Sequence, residues 1–155
     1  YLHFPSKEEA VLSHVDRIVE RLCGRMDTIA AGDGPAGQRI HNMLVERVTF
    51  RLSAVQHYTQ SLDDLLSGIR PMLLERRLRH FEREAERFER VLNEGRKNGV
   101  FGPLRVPTTA RALIEATNAL LPYSLSPQEL GDLADVRRRA VAIADLLVGG
   151  LRAGS

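Results

Sequence analysis

Side chains able to do chemistry are scattered along this 155-residue chain, not gathered into a reactive constellation. A metal site in a helical bundle needs ligands at helical spacing, as in Glu-x-x-His or His-Glu-x-x-His. The residues three places before His14, His41, His57 and His80 are Val11, Gln38, Ala54 and Arg77, so neither pattern is present. Ser/His/Asp contexts and paired cysteines are missing too, and residues 32 to 37 read as a helix-to-helix turn rather than a phosphate cradle. Neither an enzyme nor a metal or cofactor site is expected.

The remaining chemistry is binding. Met43, Arg47, Phe50, His57, Tyr58, Phe81, Phe88, Asn118 and Tyr123 place polar or aromatic character on otherwise apolar helix faces, which is how a small-molecule cavity between helices is lined. Ordinary core packing competes with ligand contact for each aromatic. Asn118 sits among Ala116, Ala119 and Leu120, and a buried amide there needs a ligand, a dimer mate or a backbone carbonyl as partner; His57 is in the same position. Arg47, between Met43 and Phe50, either snorkels its head to water, the commoner outcome, or reaches a carboxylate across a cavity.

A second kind of binding is written into residues 1 to 10. Pro5 cannot continue a helix from Leu2-His3-Phe4, and it biases Phe4 toward an extended conformation, so one helix finishes here. Ser6 with Glu9 three places on forms a capping box that starts the next. Lys7 lies in that first turn, where the helix dipole already favours anions, so a phosphate group or a nucleic-acid backbone would suit it.

The elements that must hold these residues are all helices. From 6 to 31, Leu12, Val15, Val19, Leu22, Met26 and Ile29 form one apolar stripe, and Val11, Ile18 and Ala30 widen it as a connector between two units requires. Gly32-Asp33-Gly34-Pro35 stops that helix. A second, from about 35 to 56, carries Ile40, Leu44, Val48, Leu52 and Val55. Ser61 and Asp64 cap a short helix over 62 to 67, closed by Gly68. Pro71 opens a long one with Leu74, Leu78, Phe81, Ala85, Phe88 and Leu92 inside and an outer face of alternating Glu and Arg, stopped at Asn98-Gly99, where Val100-Phe101 can fold back. Pro107 starts a helix with Ala110, Leu113, Ile114, Thr117, Leu120 and Leu121 on its apolar side, ended by Pro122, and Ser126 to Glu129 cap a short turn. A last helix from about 134 to 151 shows Val136, Ala140, Ile143, Leu147 and Leu151. Strand signals are absent, and the fold class is all-α.

Composition narrows the options without choosing among them. A net charge of +2 and a pI near 9.0 lack the concentrated basic stripe that marks a nucleic-acid binder by charge alone. Cys23 is the single cysteine and can form no internal disulfide, which fits a reducing cytoplasm. No apolar run approaches the roughly 18 residues of a membrane span.

The string Tyr1-Leu2-His3-Phe4-Pro5-Ser6-Lys7-Glu8 resembles the junction of recognition and connecting helices in the tetracycline repressor (TetR) family of bacterial transcription regulators, Tyr-x-His-Phe-x-Ser-Lys-Glu. Ala10 departs from the larger apolar residue usual there. The resemblance implies that Tyr1 and His3 end a recognition helix near the DNA backbone, that Lys7 caps a phosphate, and that the rest of a helix-turn-helix precedes Tyr1. It implies residues 1–5 as the tail of that DNA-binding unit, 6–31 as the connecting helix, and 35–152 as a ligand-binding and dimerisation domain. The helix order along the whole chain matches the family's. In the family the last two helices pair with their two-fold mates, which implies a homodimer interface built from Leu113, Thr117, Leu120, Leu121, Val136, Ala140, Ile143 and Leu147; a monomer would leave such a face wet. The expected function is a ligand-responsive regulator, a repressor released from operator DNA by a small-molecule effector. A helical, dimeric binding or scaffold module that never touches DNA is the alternative.

Overall fold

A computed structural model describes residues 6–55, 62–125, 129 and 132–154; the side chains of 62–67 and 123 lie outside that description. The described chain is all-α. Helices α1 (Lys7–Ala30), α2 (Ala36–Val55), α3 (Leu62–Lys97), α4 (Val106–Thr117) and α5 (Leu133–Leu151) follow one another, with two 3-10 turns, Asn118–Leu120 and Pro122–Ser124, after α4. The one extended pairing among the described residues is an isolated antiparallel bridge between Phe101 and Arg152.

Helix α1 begins as its sequence requires. The Ser6 hydroxyl accepts the Glu9 N–H at 3.1 Å, and the Glu9 carboxylate accepts the Ser6 N–H at 3.3 Å. Both α2 and α3 pack on α1, so Leu22, Cys23 and Met26 are buried against them, while Leu12 near its start closes on Ile69 and Leu73 of α3. The connector thus uses more than one face. Helix α2 is the central element, touching α1, α3, α4 and most extensively α5. A side chain at Gly37 would come within 3.2 Å of Val148 on α5, so glycine there permits the close approach. The main core gathers Leu22, Met26, Ile40, Leu44, Phe88, Leu92, Leu113 and Val148 from all five helices.

Three sequence expectations change. The short helix over 62 to 67 and the long helix from Pro71 are one continuous α3, with Pro71 inside it. Proline costs that helix one N–H bond and crowds the preceding turn, but Ile69 and Leu73 on either side of it are buried against α1, and this packing carries the helix through. The inner face of α3 is also rotated. Leu74 and Leu78 are exposed, and the buried line runs Ile69, Leu73, His80, Glu84, Phe88 and Val91. Finally, Leu113, Thr117, Leu120, Leu121, Val136 and Ala140 are buried within the single chain, and Ile143 and Leu147 are half-buried against its clusters. The six buried side chains are packed inside one subunit and have little surface left for a partner, whereas Ile143 and Leu147 keep part of theirs.

The end of α3 matches its reading. Gly99 adopts φ +75°, and the Val100 and Phe101 N–H groups return to the Gly95 carbonyl. Phe101 folds onto the helix end and is buried, whereas Val100 stays exposed.

Candidate functional site

Between α2, α3 and α4 lies a buried ionic cluster that the apolar periodicity hides. Arg47 and Arg51 stand one turn apart on the inner face of α2, and Glu84 projects from α3 between them. Arg51 holds Glu84 with two bonds, 2.5 Å from Nη1 to Oε1 and 2.9 Å from Nη2 to Oε2, and Arg47 Nε donates to the same Oε1 at 3.0 Å. The remaining Arg47 donors reach α4 and the turn after it: Nη1 to the Thr117 hydroxyl at 2.7 Å and the Ile114 carbonyl at 3.3 Å, Nη2 to Asn118 Oδ1 at 2.7 Å. The Arg47 guanidinium also lies 5.2 Å from the Phe81 ring centroid. Arg47 therefore does not snorkel; with its side chain wholly buried it takes the alternative, a carboxylate across the core.

Burial is the largest single influence on the Glu84 carboxyl and pushes its pKa up. The charges and hydrogen bonds of Arg51 and Arg47 together outweigh it, and the group ends below its ordinary 4.5. Glu84 is thus an anion in a core position.

Next to this cluster, α1, α2 and α3 enclose a cleft. Its lining is Val15, Ile18 and Val19 from α1, Val55 from α2, and Leu73 and Phe81 from α3, with Pro122; Arg51, Arg77 and His80 are the polar residues on it. The free interior is about 60 Å³, room for several waters or a small apolar body. Asp16 of α1 ties the two flanking helices together. It accepts from Arg76 at 2.5 Å and pairs with His80 Nε2 at 2.9 Å, while farther along Arg87 donates to Asp27 at 3.1 Å. Desolvation lowers the His80 pKa below its ordinary 6.5, and the bond to Asp16 only partly opposes this.

The expected ligand residues divide among several places. Phe81 lines the cleft; Arg47 and Asn118 belong to the ionic cluster, where the Asn118 side-chain oxygen accepts from Arg47 rather than meeting a ligand, a dimer mate or a backbone group. Met43 and Phe88 are fully buried core, and Phe50 lies on the other side of α2, facing the Arg21 and Arg25 guanidinium groups at 5.6 and 5.1 Å. His57 and Tyr58 lie outside the described residues, as do Tyr1, His3 and the Ser126 to Gln128 turn, and so does the Tyr123 side chain. Sequence reasoning missed Glu84, Arg51, Arg77, His80 and Asp16. Arg47 and Arg51 at an (i, i+4) step on a buried stripe were the available signal. Cys23 is a buried core side chain, and that burial raises its thiol pKa. Among the described residues no group of three His, Cys, Asp or Glu side chains is placed to hold a metal, and no helix is long and apolar enough to cross a membrane.

In comparisons with known proteins, no family model, no curated protein and no solved structure matches this chain.

Proposed function

We propose that this chain is the sensor and dimerisation part of a TetR-like, ligand-responsive DNA-binding transcription regulator, a repressor whose operator affinity falls when a small molecule occupies the cleft. The observation that carries this reading is the double use of α1. Its capped start holds Lys7, a member of the junction-like string, exposed in the first turn, and its middle supplies Val15, Ile18 and Val19 to the cleft. A body in the cleft thus bears on the same rod that begins at the phosphate-facing end. At about 1.5 Å per residue, α1 is a lever roughly 36 Å long, and two recognition helices must stand about 34–36 Å apart to read successive major grooves. A ligand that favours a tilted α1 misaligns the pair and releases DNA by shifting populations.

Gel-shift titration of the full-length protein on its own upstream region tests this. A complex at low salt is expected, and its absence leaves the scaffold reading. Lys7→Ala is expected to weaken binding alike on all sequences and to lower the salt-dependence slope by about 1, with the fold intact. Selective loss at one base position would show that Lys7 reads a base instead.

The dimer surface that fits the structure differs from the buried residues named above. Leu146 is 79% exposed on α5, and Ala142 and Gly149 share its face at helical spacing. Thr108, Ala112 and Glu115 form the outward line of α4, and Ala119 of the following 3-10 turn is exposed beyond them. Small residues around one large apolar side chain suit close pairing of helices across a two-fold axis. Leu146→Asp is expected to yield monomers by analytical ultracentrifugation with an unchanged helical spectrum; a persisting dimer would place the interface elsewhere.

A further inference from the structure

We propose that the cleft between α1, α2 and α3 takes a small apolar monocarboxylate, with Arg77 as the group that grips its anionic head. The charge pattern points one way: three basic side chains, Arg51, Arg77 and His80, reach the cleft, and no acidic side chain lines it among the described residues. Two of the three are committed. Both terminal nitrogens of Arg51 are held by Glu84, and His80 Nε2 faces Asp16. Arg77 is half-buried on the same wall, and no carboxylate among the described residues pairs with it. A ligand that covers a guanidinium with apolar body must also supply it a counter-anion, and the planar fork matches one carboxylate with two parallel hydrogen bonds. An amine would meet like charge, and a phosphate dianion would require more donors than one fork provides.

The apolar walls set the rest of the ligand. Val15 and Val19 on α1 face Leu73 and Phe81 on α3, so a hydrocarbon body beyond the head group removes both walls from water. The interior of about 60 Å³ is smaller than the roughly 150 Å³ that takes a benzene ring, so it favours a short, slender chain over a ring or a long acyl group. The inference rests on reading the bundle as a sensor, and it names the sensor's ligand class. Binding itself is measurable without DNA, so the two ideas fail separately.

The test is calorimetric titration of the full chain with hexanoate, hexanamide and hexylamine, with methyl NMR to locate the site. Hexanoate is expected to bind at least roughly ten-fold more tightly than hexanamide, hexylamine not at all, and shifts should centre on Val15 and Leu73. Arg77→Gln should remove that ten-fold preference while leaving hexanamide unaffected, and Arg77→Lys should restore part of it. The proposal is overturned if hexanoate does not bind, if hexanamide binds as well as hexanoate, or if Arg77→Gln weakens both ligands alike. Hexanoate binding that leaves operator affinity unchanged would keep the ligand class and reject its role in DNA release.

Discussion

Replacing Glu84 with Gln should destabilise the protein by about 3–5 kcal/mol, one of the largest losses open to a single near-isosteric change here. Gln retains the shape and one acceptor, but two guanidinium groups then share a core site without an anion. Arg47 is wholly buried, and Arg51 is nearly so, with only its edge on the cleft. Urea unfolding followed by circular dichroism would measure the loss; a change below about 1 kcal/mol would mean that solvent already screens the cluster. The companion experiment replaces Arg47, Arg51 and Glu84 together by Met. With no charge left to strand, the triple variant should recover most of the loss, because buried ion pairs are often no more stabilising than apolar residues of similar volume.

The same cluster sets a pH limit. Glu84 has a lower pKa folded than unfolded, so its contribution is present above the unfolded value and is lost as pH falls through the folded one. The His80 pKa is also lowered on folding; its proton binds the unfolded chain more readily, and stability begins to fall as pH drops below 6.5. Stability should therefore decline gently below pH 6.5 and more steeply in the carboxylate range. Glu84→Gln should make the lower limb shallower, the Glu94 carboxyl that Arg39 holds down still contributing, and keep the upper.

Gly95→Ala should destabilise by about 1–3 kcal/mol, against the direction that helix propensity alone dictates. Alanine inside a helix is ordinarily favoured over glycine by about 1 kcal/mol. Here the new methyl would lie 2.3 Å from two ring carbons of Phe101. The ring has nowhere to go. Phe101 is 3% exposed in the main core, and the bonds from the Gly102 N–H to the Leu151 carbonyl and from the Ala153 N–H to the Val100 carbonyl pin its segment to the end of α5. Removing the ring should reverse the sign: in a Phe101→Ala background, Gly95→Ala should stabilise by up to about 1 kcal/mol. Equal effects in both backgrounds would show that the close approach is not what selects glycine.

Local signals in the sequence were enough to settle the all-helical class and some of the helix ends. Ser6 and Glu9 cap α1, the glycine and proline run ends it, Gly99 ends α3, and the apolar spacing of α1 and α2 marks the faces they bury. Such features depend on residues within one turn of each other, and no distant contact overrides them. Only the tertiary structure decided which face of α3 turns inward, because Leu74 and Leu78 continue the apolar stripe while His80 and Glu84 interrupt the true one; α1 and α2 select the interrupted face by supplying Asp16, Arg47 and Arg51 to its charges. The same holds for Pro71, whose local cost is outweighed by Ile69 and Leu73 packing on Leu12, and for the cleft, whose walls come from helices far apart in sequence. A periodic pattern measures apolarity along one helix, and it cannot register that a charge is satisfied by a partner on another.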